Sequence, residues 1–172
     1  RIVVDCGLGV TRGLVDQGMA LADIELILVT HLHSDHCLEL GPLLHTAWTA
    51  GLKRPVRVLG PSGLVDYWAH FLDSMRCDID LRIDDEGRPD LRRLVSVAAF
   101  DEGTILDEPD LRVRALRNVH PPIADSFALR LEAGGRAVVF SGDTAPFAGL
   151  ADFALGADLL VHEAILPAAV DA

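Results

Sequence analysis

His31-Leu32-His33-Ser34-Asp35-His36 gathers three of the chain's seven histidines and one carboxylate into six residues. Imidazole and carboxylate are the usual ligands of zinc, at about 2.0–2.2 Å. The stretch follows the apolar run Leu26–Thr30, which reads as a strand. On an extended backbone His31 and His33 point the same way, while a turn aims Asp35 and His36 elsewhere. Four donors spread in this manner fit two adjacent metals better than one. The competing reading is a His-rich surface turn that binds nothing, and residues further along the chain argue against it.

Ser141-Gly142-Asp143-Thr144 puts an acid on a tight turn after the apolar run Ala137–Ser141. A carboxylate buried there needs a cation or hydrogen-bond donors, although Asp143 could instead cap a helix over Phe147–Leu155. His120 ends the run Leu111–Val119 and His162 ends Leu159–Val161. Taken singly, His120 is an ordinary strand-end histidine, and His162 reads equally as a buried one bonded to its neighbour. Taken together, His31, His120, Asp143 and His162 all sit at the ends of apolar runs. Strand ends project into loops at one edge of a sheet, where α/β enzymes collect their reactive groups.

Short β-branched runs alternate with helix-like stretches, which predicts a layered α/β chain. Strands are expected at Ile2–Asp5, Leu26–Thr30, Val56–Leu59, Val95–Phe100, Leu111–Arg117, Ser126–Glu132, Ala137–Ser141 and Leu159–His162. Helices are expected at Thr11–Ala22, Glu39–Ala50, Ser62–Met75 and Phe147–Leu155, and His45 and His70 then read as ordinary helix residues. Ala133-Gly134-Gly135-Arg136 reads as a β-hairpin turn, and Pro121-Pro122 fixes an extended or turning backbone after His120. The acidic run of Asp78, Asp80, Asp84, Asp85 and Asp90 reads as a solvated loop, since it lacks the pattern of a calcium loop.

The 172 residues suffice for one domain with a substantial core, half of them are hydrophobic, and no repeat or linker divides them. A net charge of −11 argues against a broad grip on nucleic acid, which needs clustered Lys and Arg. Cys6, Cys37 and Cys77 are odd in number and show no C-x-x-C spacing, so a reducing cytoplasm is expected rather than a disulfide framework. No apolar run approaches the roughly 20 residues of a membrane span, so no membrane partner is expected.

H-x-H-x-D-H after an apolar strand, an isolated His, S-G-D-T, and a strand ending in His162-Glu163-Ala164 together resemble the metallo-β-lactamase superfamily. Within it the likeness is to the ribonuclease Z-like branch, with its small phosphodiesterases and arylsulfatase-like members. Val4-Asp5-Cys6-Gly7 and Leu38–Leu44 fit the same likeness, which runs from about Ile2 to Leu166. It implies an αββα sandwich with the site along one edge. It implies that His31, His33 and His120 bind one metal, that Asp35 and His36 bind a second, and that Asp143 bridges them. The metals implied are two divalent ions, zinc first and manganese or iron otherwise, using a metal-bound hydroxide to cleave an ester. Asp35 would also orient that nucleophile, His162 would assist proton transfer to the leaving group, and Glu163 would orient His162.

The family pattern has a further metal-binding His on a later strand, which this sequence does not supply before Ala172, and the chain opens at Arg1 rather than Met. The chain is therefore expected to be a partial domain, 1–172, truncated at both ends. Members that process tRNA 3′ ends carry a long arm between the isolated His and the bridging Asp. Here 22 residues separate His120 from Asp143. The favoured substrate is thus a small or nucleotide phosphodiester. A tRNA 3′-processing endonuclease and an arylsulfatase- or lactonase-like hydrolase are the alternatives, with a non-catalytic binding module behind them. Homodimers are common where this fold is used, as the resemblance implies.

Overall fold

The computed structural model describes residues 1–164. They fall into two compact units, residues 1–100 and 101–164.

The first unit is built on a parallel sheet of four strands in the order β1 (Ile2–Val4), β2 (Leu26–Leu28), β3 (Val56–Gly60) and β4 (Val95–Ala99). Ile2 lies beside Leu26, Leu26 beside Arg57 and Val56 beside Val95. Parallel strands are buried on both faces and so read as continuous apolar runs, and all of β2 is buried. Its helices are α1 (Val10–Asp16), α2 (Ser34–Cys37), α3 (Leu40–Thr49), α4 (Leu64–Ser74), α5 (Arg76–Glu86) and α6 (Leu91–Leu94). In α3 the fully buried positions Leu40, Leu43, Leu44, Ala47 and Trp48 follow the 3.6-residue period that aligns one face with a core. They join Ile27, Val58, Leu64, Trp68 and Ile79 in one cluster. Each such large side chain contributes about 1.5–3 kcal/mol by leaving water.

Two sequence expectations change here. The helix expected over Thr11–Ala22 stops at Asp16, because Gly18 adopts φ 73° and the chain re-enters only as a 3-10 turn at Leu21–Asp23. The acidic run expected as loop is largely helix α5. Arg82 spans Asp78 at 3.0 Å and Glu86 at 3.0 Å, both four residues away. Ile79, fully buried, and Ile83 give the helix an apolar edge on the core cluster.

The second unit holds a five-stranded sheet in the order β5 (Gly103–Glu108), β6 (Leu111–Arg117), β7 (Phe127–Ala133), β8 (Arg136–Phe140) and β9 (Leu159–Val161). All pairs are antiparallel except β8 with β9, which the helix α7 (Ala148–Ala154) connects. The hairpin predicted at Ala133–Arg136 is present, with Gly134 at φ 57° and Gly135 at φ 73°. Both central residues of that tight turn need positive φ, which glycine supplies without strain. Strand β5 was not expected from the sequence. Ala128, Val139 and Leu150 form a small core with Phe147 and Phe153 against it.

The topology of this sheet places the candidate residues. β6 and β8 both run antiparallel to β7, and β9 runs parallel to β8, so all three end at one edge of the sheet. His120, Asp143 and His162 follow those three ends.

Candidate metal centre

In the first unit β2 ends at Leu28, and the chain continues through Val29 and Thr30 to His31, which is wholly buried. The centre of the His31 ring lies 4.9 Å from that of His33 and 4.0 Å from that of His36. His36 sits on the one-turn helix α2, with Asp35 beside it and the Nε2–carboxylate separation 3.7 Å. Three imidazoles and a carboxylate are thus brought together by one strand end and the first turn after it.

Asp5 orients them. It follows β1, at φ 60° in the left-handed region that Asp tolerates better than most residues. Its Oδ1 accepts the Thr30 backbone N–H at 2.7 Å, and its Oδ2 accepts the Thr30 hydroxyl at 2.9 Å and the His36 Nδ1–H at 2.7 Å. With its proton given to Asp5, the Thr30 oxygen accepts from His31 Nδ1 at 3.1 Å. These contacts suit a proton on Nδ1 of both rings, and in a neutral ring so protonated Nε2 carries the lone pair. His31 Nε2 in turn lies 3.1 Å from His33 Nδ1. Imidazole nitrogens gathered around the buried His31, backed by a carboxylate that accepts from one of the rings, are a donor set suited to a divalent cation. Cys6 and Cys37 lie close by, but burial, reinforced by the charge of Asp5, pushes both thiols up. The ligand-type groups that gather among the described residues are His and Asp side chains, which offer nitrogen and oxygen.

Gly7 sets the backbone beneath this cluster. A Cβ there would come 1.7 Å from the carbonyl oxygen of Asp35. Cys6 N–H donates to His36 O at 2.6 Å and Glu39 N–H to Cys6 O at 2.8 Å, so the segment after β1 and helix α2 are stitched together.

In the second unit a ring nitrogen of His120 and a carboxylate oxygen of Asp143 lie within 4.8 Å. Their loops are tied: Asn118 Nδ2 donates to Ser141 O at 2.9 Å, Val119 N–H to Thr144 Oγ1 at 3.1 Å, and Ala145 N–H to Val119 O at 2.7 Å. Asp143 is not a helix cap; α7 begins after Phe147, with no side-chain cap. Glu163 accepts the Thr144 N–H through Oε1, and its own N–H donates to Ser141 Oγ at 3.1 Å, so it braces the Asp143 turn. His162 is exposed rather than buried, and its Nδ1–H donates to the Glu163 backbone oxygen at 2.8 Å. His45 and His70 lie in α3 and α4 as expected.

The residue that sequence reasoning undervalued is Asp5. It was legible as part of a family-like tetrapeptide, and the signal for its role was an acid placed directly at the end of an apolar strand, where a carboxylate needs partners.

The fold matches solved structures along almost its whole length. Human tRNase Z, short form, superposes with a TM-score of 0.74 at 24% identity, covering 99% of this chain and 69% of that one. The metallo-β-lactamase fold protein YhfI from Bacillus subtilis does so with a TM-score of 0.67 at 19% identity, covering 92% and 57%. In sequence, the ribonuclease Z of Mycolicibacterium paratuberculosis (strain ATCC BAA-968 / K-10) is 36% identical over 166 residues, 95% of this chain and 59% of that one. The chain thus spans about three-fifths of the length of the curated relatives it matches. Fold and relatives define a metallo-β-lactamase superfamily protein of the ribonuclease Z-like branch, as the sequence motifs implied. More narrowly, the chain belongs to the family described as anti-Pycsar protein Apyc1, whose model matches residues 1–171.

Proposed function

We propose that this chain is a dinuclear metal-dependent phosphodiesterase acting on a small or nucleotide phosphodiester. In this reading His31, His33 and His120 hold one divalent ion, Asp35 and His36 hold the other, and Asp143 is shared. Zinc suits the imidazole-rich donor set best, with manganese or iron as substitutes. A ligand set drawn from residues 31–36 and from 120 and 143 would make 1–172 a single hydrolase domain. The anti-Pycsar description of the family comes to this chain as part of the same proposal.

When bound, two such ions supply acidified water and offset negative charge on the attacking and leaving oxygens of a phosphodiester. The chain's own residues do the rest. Asp5 and Thr30 keep the protons of His36 and His31 on Nδ1, so that neither ring turns its proton toward the site. Asp35, largely exposed beside His36, would orient the attacking water as well as bind metal. His162, with Nδ1–H on the Glu163 carbonyl, presents Nε2 to carry a proton to the leaving oxygen. Glu163 acts through its backbone oxygen on His162 and through its carboxylate on the Asp143 turn.

The observation that carries the small-substrate reading is the connection from His120 to Asp143. It consists of one turn and the tight β7–β8 hairpin, with no arm to grip a large RNA. The proposal also places the protein in the cytoplasm, in keeping with three free cysteines, and keeps a homodimer open on the family likeness. A second reading, tRNA 3′-end processing, is favoured by the relatives named ribonuclease Z. Zinc-loaded protein assayed in parallel on bis(p-nitrophenyl) phosphate and on a precursor tRNA separates them. Hydrolysis of the diester without tRNA cleavage is expected. Cleavage of the tRNA at a discrete 3′ site would replace the first reading with the second.

A further inference from the structure

Asn118, Val119 and His120 follow the end of β6, and the first two grip the turn that carries Asp143 on both of its sides. Before the turn, Asn118 Nδ2 donates to Ser141 O at 2.9 Å. After it, Val119 N–H donates to Thr144 Oγ1 at 3.1 Å and Ala145 N–H to Val119 O at 2.7 Å. Val119 acts through its main chain, which any residue but proline supplies. On the His120 side of the grip, the Asn118 amide is the part that depends on a particular side chain.

Stability alone does not account for an asparagine here. Asn118 is buried, and so is Ser126 opposite it. The Asn118 N–H donates to Ser126 O at 3.0 Å, which extends the ladder in which Arg117 faces Phe127. Arg117 and Phe127 stack on one face of the sheet, so Asn118 and Ser126 share the other. Among the described residues neither Asn118 Oδ1 nor Ser126 Oγ has a hydrogen-bond partner. A buried polar atom left without a partner opposes folding. Turning the amide over would set its oxygen against the Ser141 carbonyl, so the bond to the turn fixes which end faces it. Asn118 thus supplies one bond and leaves one oxygen uncompensated, two effects of opposite sign. What no such offset touches is position. The bond ties the end of β6 to the end of β8 past the start of β7, next to His120 and Asp143. A ligand atom of each lies within 4.8 Å of the other, and groups that act on one centre need placement to about 0.5 Å.

We propose that Asn118 is a positioning residue, whose amide sets the Asp143 turn at the distance from His120 that lets both ligate one ion. The inference rests on the reading of His120 and Asp143 as metal ligands. The test compares Asn118→Leu, close in size and unable to donate, with Ser126→Ala, which removes the neighbouring hydroxyl and breaks no hydrogen bond among the described residues. Zinc affinity is read by competition with a chromophoric chelator, and ligand geometry by the visible absorption of the cobalt(II)-loaded chain. Asn118→Leu is expected to weaken zinc binding about tenfold and to change the cobalt bands, with a urea midpoint close to that of the parent. Ser126→Ala is expected to leave affinity and bands as they were. Unchanged cobalt bands in a folded Asn118→Leu chain, or the same change in Ser126→Ala, overturns the proposal. If Asn118→Leu does not fold, Asn118→Asp, which keeps the shape and sets a carboxylate oxygen against Ser141 O, is read in its place. Failure of both to fold makes Asn118 a residue of the fold alone and also overturns it. If the parent chain binds no metal, the metal reading falls, and the grip is decided on the metal-free chain. The amide NMR signals of Gly142 and Asp143 then shift or broaden in Asn118→Leu and not in Ser126→Ala, or Asn118 positions nothing.

Discussion

Asp5 accepts three hydrogen bonds and through them sets the tautomers of His36 and His31. An asparagine in its place would retain the shape but present an N–H where an acceptor is needed. Asp5→Asn should therefore weaken zinc binding about 10–100-fold, read by competition with a chromophoric chelator; unchanged affinity would mean that the carboxylate serves only the fold. Gly7 makes the opposite kind of demand, one of space. Gly7→Ala drives a methyl group into backbone rather than into a yielding side chain, and should cost about 2–4 kcal/mol in urea unfolding. His162 belongs to the proposed chemistry and to none of the packing. His162→Ala should leave metal content and unfolding midpoint unaltered while slowing turnover about a hundredfold for poorly acidic leaving groups and far less for p-nitrophenolate. A uniform loss across leaving groups would remove it from proton transfer.

At the scale of elements, what the sequence made legible depended on which force shaped each piece. Strand β2 and helix α3 were readable because burial alone decides them, one as a continuous apolar run and the other as a 3.6-residue stripe. The β7–β8 hairpin was readable because paired glycines have few other uses. Helix α5 was not, since composition suggested solvated loop while the i, i+4 placement of Arg82 between Asp78 and Glu86 favoured helix. Strand β5 escaped because Gly103–Glu108 carries no alternation of its own and is specified by pairing with β6, where Asp107 meets Arg112 at 3.0 Å. The candidate metal-ligand motifs were plain in the sequence, whereas the Asp5–Thr30–His31 relay joins residues 25 positions apart and appears only once β1 lies beside β2. One element-level prediction concerns the end of α3, whose last carbonyls, of Trp48 and Thr49, accept from Arg88 at 3.0 and 3.1 Å. Arg88 also lies over the Trp48 ring at 5.5 Å. Arg88→Ala should lower stability by about 1–2 kcal/mol, with no effect on metal binding.

For the molecule as a whole, charge governs the response to acid. The chain carries −11 and has a pI near 4.9. In the second unit, the Glu102 N–H and then Arg117 lower the pKa of Asp101, Arg112 lowers Asp107, Arg130 lowers Glu132, and the Ala137 N–H with Arg136 lowers Asp158. A carboxyl whose pKa is lower in the folded state stabilises that state above the ordinary carboxylate range, near 4. The contribution disappears as pH falls through the lowered values. The melting temperature should therefore hold between pH 7 and 5 and decline modestly below about 4, since these exposed pairs are screened by solvent, with least solubility near the pI. A melting temperature that rises on acidification would contradict this. No described helix is long and apolar enough to cross a membrane. The central proposal, that residues 31–36, 120 and 143 hold two metal ions, is tested most directly by the metal content of purified chain after dialysis against metal-free buffer and reloading with zinc. The account predicts two zinc ions per chain, and retention of fewer in His31→Ala and in Asp143→Ala. A folded chain that takes up no zinc, manganese or iron would contradict it.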